Sequence, residues 1–291
     1  MPDSYHNSQG AEDTAENRFH TPAVMRLVMR SISHLAPPLA VKVASYLFCH
    51  PNRGQIKPDE EETLADAEAF QIEIAGLKLS AWSWGEGPTV LLQHGWSSRG
   101  SRLAAFVPPL IESGFRVVTY DAPAHGSSEG RTTTGPYISK SLRELAAMLG
   151  GIHSIIAHSM GCWAAALGLK EGLEVERLVF ISPPSDLKLF SDIFFTQTGF
   201  SEKIQKRVED LLVEQTGVEW SEMKAGALGA GQNTPLLIIH DTDDRVVPLH
   251  HAETLHEVWE GSKLVVTSGF GHRITVKMPS VVTQAVEFIT G

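Results

Sequence analysis

Ser159 lies in the stretch Ala157-His158-Ser159-Met160-Gly161-Cys162, directly after the apolar run Ser154-Ile155-Ile156. A serine hydroxyl is a weak nucleophile until an imidazole takes its proton, and that imidazole needs a carboxylate to orient it. A nucleophile on a sharp strand-to-helix turn needs small residues two positions before and after it, as Ala157 and Gly161 are. The stretch therefore indicates either such a nucleophile or a small polar residue where a strand gives way to a helix.

Other apolar runs also end in loops that carry residues able to do chemistry. His94-Gly95-Trp96 follows TVLLQ, and the loop DAPAHGSS, residues 121–128, follows RVVTY. Asp241-Thr242-Asp243-Asp244 follows PLLIIH, and Gly269-Phe270-Gly271-His272 follows KLVVTS. Because the carboxyl ends of parallel strands meet at one edge of a sheet, side chains far apart in sequence can come together there.

These loops need a scaffold, and the hydrophobic pattern predicts an α/β fold with a mostly parallel, doubly wound sheet. Residues 70–84 alternate around a glycine-containing turn, which predicts a β-hairpin. Helices are expected on both faces of the sheet, because helical and strand patterns alternate from there to the end of the chain. Strands are predicted at 89–94, 116–120, 153–158, 177–182, 235–240 and 263–268, and helices near 101–113, 137–149, 161–172, 249–259 and 279–290.

The interval from about residue 185 to 234 is longer than a single crossover requires. KLFSDIFFTQ and SEKIQKRVEDLLVEQ within it have helical periodicity and carry large apolar residues. An insertion at the carboxyl ends of the strands would cover a crevice there. We therefore expect a helical cap within a main domain that spans residues 66–291.

The chain before this domain divides into two segments. Residues 1–20 are expected to form a flexible tail, and residues 21–65 an N-terminal helical extension. Two amphipathic helices are predicted on either side of Pro37-Pro38, since proline ends or kinks a helix. Residues 19–58 contain no acidic residue but carry Arg26, Arg30, Lys42, Arg53 and Lys57. We expect the helical pair to pack against the main domain, with peripheral contact to an anionic membrane surface as the alternative.

The ordered loops make residues 70–291 resemble the α/β-hydrolase superfamily, and within it the bacterial branch of serine esterases and lipases. Two positions depart from the usual pattern, since Ala157 and Ala124 stand where glycine is common. The superfamily's order of nucleophile, acid and histidine implies Ser159, Asp244 and His272 as the catalytic residues. A surface histidine is the alternative for His272. Asp186, Asp241 and Asp243 remain alternatives for the acid.

The resemblance also implies an oxyanion hole made by backbone N–H groups. The residue after the nucleophile, Met160, supplies one donor, and Trp96 supplies the other. Trp96 also has an indole that could wall the acyl pocket or pack in the core. For His94, His125 and His158 we expect structural roles in shaping loops.

Composition excludes several other classes of protein. The net charge of −10 argues against a nucleic-acid partner, which requires a basic surface. The sequence contains no apolar run long enough to predict a membrane-spanning helix. The N-terminus lacks the pattern of a secretory signal. Two cysteines suit a reducing cytoplasm, where we expect the protein. No metal-binding spacing stands out, and no cofactor is expected.

The sequence thus predicts a carboxylesterase or lipase-like enzyme that forms an acyl-enzyme and cleaves small esters with an apolar acyl or aryl group. The same residues would serve a thioesterase, an amidase or aminopeptidase, or a carbon–carbon bond hydrolase. A protein of this fold that binds a ligand without turnover is the alternative from a different class. The sequence does not specify an oligomeric state.

Overall fold

The computed structural model describes residues 21–291. The flexible tail predicted for residues 1–20 lies outside the described residues. The core of the fold is one eight-stranded sheet. Its strands are β1 (Glu68–Ile74), β2 (Leu77–Trp84), β3 (Thr89–Gln93), β4 (Arg116–Tyr120), β5 (Ser154–His158), β6 (Arg177–Ile181), β7 (Leu236–Asp241) and β8 (Lys263–Thr267).

The strand order is β1-β2-β4-β3-β5-β6-β7-β8. β1 pairs with β2, and β2 with β4, in antiparallel register, and every later pairing is parallel. The predicted hairpin is present, with Ala75 and Gly76 both at positive φ in its two-residue turn. Such a turn twists in the same sense as the flanking strands. The expectation of a mostly parallel α/β sheet is confirmed.

Helices cover both faces of the sheet. Every residue of β3, β5 and β7 is buried, which explains why their sequences are continuous apolar runs without alternation. The helices are α1 (Ala23–Leu35), α2 (Pro37–Cys49), α3 (Pro58–Ala65), α4 (Val107–Glu112), α5 (Gly135–Met148), α6 (Met160–Lys170), α7 (Lys188–Thr198), α8 (Glu202–Thr216), α9 (Ala225–Gly229), α10 (His250–Val258), α11 (Gly271–Ile274) and α12 (Pro279–Thr290).

The helix predicted near 101–113 is wrong as a single element. Residues Gly100–Phe106 form a 3₁₀ helix, and α4 begins at Val107. Pro108 and Pro109 fall in the first turn of α4, where a missing N–H costs no intrahelical bond. Prolines therefore mark a helix start here. Pro37 and Pro38 do the same for α2.

The N-terminal helices contact the helices of the inserted segment. Ala40 and Ala44 of α2 are fully buried in a cluster with Phe194 and Phe195 of α7 and Val208 of α8. Small side chains at 40 and 44 let α2 approach these helices closely. Among the described residues, no helix is both long enough and apolar enough to cross a bilayer.

The chain between α2 and α3 is tied to the loop that follows β4. The Arg53 guanidinium donates hydrogen bonds to the backbone carbonyls of Gly126, Ser128 and Gly130. The N–H of Thr133 also donates to the carbonyl of Cys49 (2.8 Å). These bonds hold the end of α2 beside the carboxyl edge of the sheet.

Candidate active site

Ser159 sits between β5 and α6 in a strained backbone conformation, with φ 54° and ψ −125°. Its N–H donates to the carbonyl of Ile181 (2.9 Å), and its carbonyl accepts from the N–H of Cys162 (2.9 Å). A non-glycine residue persists in this region only where its surroundings impose it. The turn aims the side chain of Ser159 out of the carboxyl edge of the sheet.

Gly161 makes this turn possible. A Cβ at position 161 would lie 2.6 Å from the backbone oxygens of both Gln93 and His94. The first turn of α6 therefore touches the end of β3 so closely that no other residue fits without a shift. Ala157, by contrast, is fully buried in the core, which accommodates its methyl group. The fold therefore has room for alanine at position 157, but it has no room for any side chain at position 161.

His272 reaches Ser159 from α11. Its Nε2 lies 3.0 Å from the Ser159 Oγ, and its Nδ1 lies 2.7 Å from the Asp244 Oδ2. His158 Nε2 donates to the backbone carbonyl of His272 (2.9 Å), which ties α11 to the end of β5. The structure therefore brings together Ser159, Asp244 and His272, three side chains from three different loops.

Asp244 is buried and held by its own loop. Its Oδ1 accepts from the N–H groups of Val246 (3.0 Å) and Val247 (2.8 Å). Burial alone would raise the pKa of Asp244, but the charge and hydrogen bond of His272 and the Val247 N–H lower that pKa below its usual value. An ionised carboxylate only accepts hydrogen bonds, so His272 donates from Nδ1 and leaves Nε2 to accept the Ser159 proton.

The other candidate acids occupy different positions. Asp186 caps the backbone N–H of Lys188 (2.9 Å) and lies 3.7 Å from Lys224 Nζ. Asp243 accepts from the N–H of Gly269 (2.7 Å). Of the four carboxylates considered from sequence, Asp244 is the one whose oxygen lies within hydrogen-bond distance of His272.

Asp241, one of the alternatives for the acid, has a role that sequence reasoning missed. Its buried Oδ1 accepts from the N–H groups of Asp243 (3.0 Å), Phe270 (3.2 Å) and Gly271 (3.0 Å). One carboxylate oxygen thus joins the loop of the acid to the loop of the histidine. The unusual aspartate at a strand end was the only signal in the sequence.

His240 was also missed as part of the site. Its ring is fully buried, and burial lowers its pKa. Nε2 contacts the carbonyl of Val247 (2.7 Å) and lies 3.6 Å from the Asp244 carboxylate. His240 therefore lies beneath the loop that contains Asp244 and supports it.

The two backbone positions expected to form an oxyanion hole lie beside Ser159. Met160 begins α6, where the first N–H groups have no intrahelical acceptor. Trp96 follows Gly95, whose added Cβ would lie 3.0 Å from the Ser159 Cβ. Trp96 and Met160 also line the same pocket as Ser159.

His94 and His125 support the loops around this edge. His94 Nε2 accepts from the N–H of Ala122 (2.9 Å), and His125 Nε2 accepts from the N–H of Ser97 (3.1 Å). Burial lowers the pKa of His94 to about 4 and that of His125 to about 3. Both rings are therefore neutral at pH 7 and act as fixed acceptors.

A largely apolar pocket begins at Ser159. The inserted segment and the N-terminal extension both build its walls, with Leu212 and Trp220 from the first and Phe48 and Cys49 from the second. Burial raises the pKa of the Cys49 thiol to about 12, so this cysteine is not a competing nucleophile. The contribution of α2 has no signal in the sequence.

A wider and more polar groove meets this pocket at Ser159 and is also lined by His272. Met25 and Met29 of α1 border it on one side, and Lys57, Arg245 and Asp243 add charge. Among residues 21–291, no group of three or more His, Cys, Asp or Glu side chains is arranged to hold a metal ion.

The fold and site define an α/β protein with a Ser–His–Asp arrangement at the carboxyl edge of a mostly parallel sheet. The chain belongs to the alpha/beta hydrolase family, whose sequence profile matches residues 89–285. The predicted resemblance to this superfamily is confirmed. Its assignment to the bacterial esterase and lipase branch stays a prediction.

Individual relatives are distant. The human protein ABHD12B is 24% identical over 227 residues, which cover 70% of this chain and 60% of the human protein. The chain thus spans less than two thirds of that relative's length. An esterase from Pyrococcus furiosus superposes with a TM-score of 0.63 at 22% identity, over 83% of this chain and 96% of the esterase. An esterase from Exiguobacterium antarcticum gives 0.61 at 20% identity, over 75% and 97%.

Replacing Gly161 by alanine should destabilise the protein and distort the turn at Ser159, because the new Cβ meets two backbone oxygens. We expect a loss of roughly 1–3 kcal/mol in the free energy of unfolding, as for other overpacked sites. Gly168→Ala in the same helix is the matched control, since its Cβ would find only ordinary contacts beyond 3.4 Å. It should be neutral or stabilising by up to about 1 kcal/mol. Urea unfolding of the two variants measures the difference, and equal effects would contradict the packing argument.

The neutral buried histidines make stability depend on pH. The pKa values of His94 and His125 are lowered to about 4 and about 3 in the fold, against about 6.5 when unfolded. Their contribution is complete above about pH 6.5 and is lost as pH falls toward 4, because the unfolded chain then binds more protons. Each should add a slope of up to about 1.4 kcal/mol per pH unit.

Urea unfolding at a series of pH values measures this slope. His94→Asn should reduce the slope in that range, whatever it does to stability at neutral pH. The exposed His256→Asn serves as the control and should leave the slope unchanged. A wild-type stability that stays flat between pH 6.5 and 4 would contradict the assignment.

Proposed function

We propose that this protein is a serine hydrolase that cleaves carboxylic esters through an acyl-enzyme on Ser159. The observation that carries the proposal is the hydrogen-bonded chain from Asp244 Oδ2 through His272 to Ser159 Oγ, with distances of 2.7 and 3.0 Å. This chain opens into an apolar pocket. Family membership and esterases of the same fold support the proposal.

In the proposed mechanism Ser159 Oγ attacks the ester carbonyl while His272 Nε2 takes its proton. The Asp244 carboxylate keeps the proton on Nδ1 and stabilises the imidazolium that forms. Backbone N–H groups of Met160 and Trp96 receive the charge on the carbonyl oxygen, a contribution worth ~10²–10³ in rate per donor. His272 then protonates the leaving alcohol and afterwards activates the water that releases the acid.

The two cavities that meet at Ser159 suit the two sides of an ester. The pocket lined by Leu212, Trp220 and Phe48 would take an apolar acyl or aryl group. The wider groove with Lys57 and Arg245 would take the alcohol side and release it to solvent. Residues 185–234 would thus act as a cap together with α2 of the N-terminal extension.

Labelling by a fluorophosphonate tests the nucleophile directly. We expect wild type and the exposed-serine control Ser268→Ala to label equally, and Ser159→Ala to remain unlabelled.

Hydrolysis of p-nitrophenyl esters should fall by at least ~10³-fold in Ser159→Ala. In wild type, octanoyl should exceed acetyl in kcat/KM, because each buried methylene contributes about 0.8 kcal/mol. Thioester and anilide substrates run in parallel decide among the bonds cleaved. A folded protein that neither labels nor turns over any of them would contradict the proposal and favour a binding function.

A second experiment tests the acid. Asp244→Asn should lower kcat on the preferred ester by on the order of 10⁴-fold, because an amide cannot hold His272 in the working tautomer. Asp186→Asn is the matched control and should stay within a few-fold of wild type, since its carboxylate accepts from the backbone N–H of Lys188 and lies near Lys224 Nζ. The opposite pattern would move the acid to the loop after β6.

A further inference from the structure

The first helix of the described chain leaves several large apolar side chains exposed. Val24, Leu27, Val28 and Leu35 of α1 are 75%, 66%, 49% and 85% exposed. Their spacing of three, one and seven residues places them on one side of the helix. The side toward the protein carries the buried Ser33, which accepts from the N–H of Ser201 (3.3 Å). Met29 and Ile32 pack on the same side against the hydrophobic cluster of α2, α7 and α8. α1 therefore packs through one part of its apolar surface and leaves a second apolar strip, Val24, Leu27, Val28 and Leu35, facing outward.

α2 extends this outward surface. Ala40 and Ala44 lie on its inner face and are buried. Leu39 in the first turn of α2 and Tyr46 in the third are 52% and 45% exposed. A contiguous apolar patch on the outside of a protein usually marks an interaction site. We call the exposed side of Ala23–Cys49 the outer face of the α1–α2 hairpin.

The charged side chains around the outer face indicate what kind of partner it would bind. Arg26, Arg30 and Lys42 border it, all three are exposed, and none pairs with an acidic side chain among residues 21–291. Residues 21–58 contain no acid, although the whole chain carries a net charge of −10. A second copy docking the same face would bring like charges together. An apolar stripe edged by unpaired cations complements an anionic lipid surface.

The position of the hairpin relates this surface to the candidate site. Met25 and Met29 of α1 and Leu47 and Phe48 of α2 line the groove that runs to Ser159 and His272. Phe48 also reaches the apolar pocket on the other side of Ser159. A hairpin lying on a membrane would place the mouth of the groove at the level of the lipid head groups.

We propose that the α1–α2 hairpin docks this protein on anionic lipid surfaces, with the outer face of α1 set among the acyl chains and Arg26, Arg30 and Lys42 among the head groups. Docking requires no chemistry at Ser159, so it stands or falls separately from the proposed hydrolase activity.

Sedimentation with vesicles tests the docking. The full chain carrying Ser159→Ala, which leaves the vesicles intact, is mixed with vesicles of phosphatidylcholine or of phosphatidylcholine and phosphatidylglycerol in equal parts. The full chain should pellet with the anionic vesicles and much less with the neutral ones.

Leu27→Asp/Leu35→Asp should lower the partition coefficient by at least ~10²-fold, because two leucines no longer enter the acyl region. Arg26→Gln/Arg30→Gln/Lys42→Gln should weaken it by about 10²-fold on anionic vesicles alone.

Met148→Asp is the matched control, since Met148 is 60% exposed at the far end of α5, away from the hairpin. It should pellet as the parent does, and thermal unfolding should show all variants as folded as the parent, since every side chain substituted in addition to Ser159 is exposed. Equal pelleting of the Leu27→Asp/Leu35→Asp variant and the parent would overturn the proposal, as would failure of the parent to bind anionic vesicles. A parent dimer that this variant converts to a monomer, without vesicle binding, would assign the face to a second copy.

Discussion

The contact between the start of α6 and the end of β3 is the constraint on which the rest of the site depends. It is closer than any side chain at position 161 permits, and Gly161 is therefore required. Because α6 is held there, Ser159 must turn sharply through a conformation that non-glycine residues rarely adopt. That turn lifts the side chain of Ser159 from the edge of the sheet and points the first N–H groups of α6 toward the same space.

The partners of Ser159 are held by a second set of constraints, all of them polar and buried. Asp241 joins the loop after β7 to the loop after β8 through three backbone N–H groups, and Asp244 accepts two more from its own loop. Every buried carboxylate oxygen that accepts such bonds removes freedom from the loop it contacts. The distance from His272 to Ser159 is thus set by backbone hydrogen bonds as much as by the triad residues themselves.

The N-terminal extension contributes to the molecule through two faces of different character. The inner face of α2 completes the core with α7 and α8 and supplies Phe48 to the pocket beside Ser159. The outer face of α1 leaves its large apolar side chains in contact with solvent. Core packing accounts for the first face, whereas no element among residues 21–291 covers the second.

Periodicity and turn chemistry are local properties of a chain, so the residues alone predicted the hairpin and most strands and helices in their order. The resemblance to the superfamily added Ser159, Asp244 and His272 as candidates. It left Asp186, Asp241 and Asp243 open as alternatives to Asp244, since the choice depends on which carboxylate reaches the imidazole of His272. The contact of Asp244 with His272, the supporting positions of Asp241 and His240, and the place of Phe48 in the pocket all come from the tertiary structure. It also decided which way α1 faces. An amphipathic pattern predicts that a helix has an apolar side, but packing alone determines whether that side is covered.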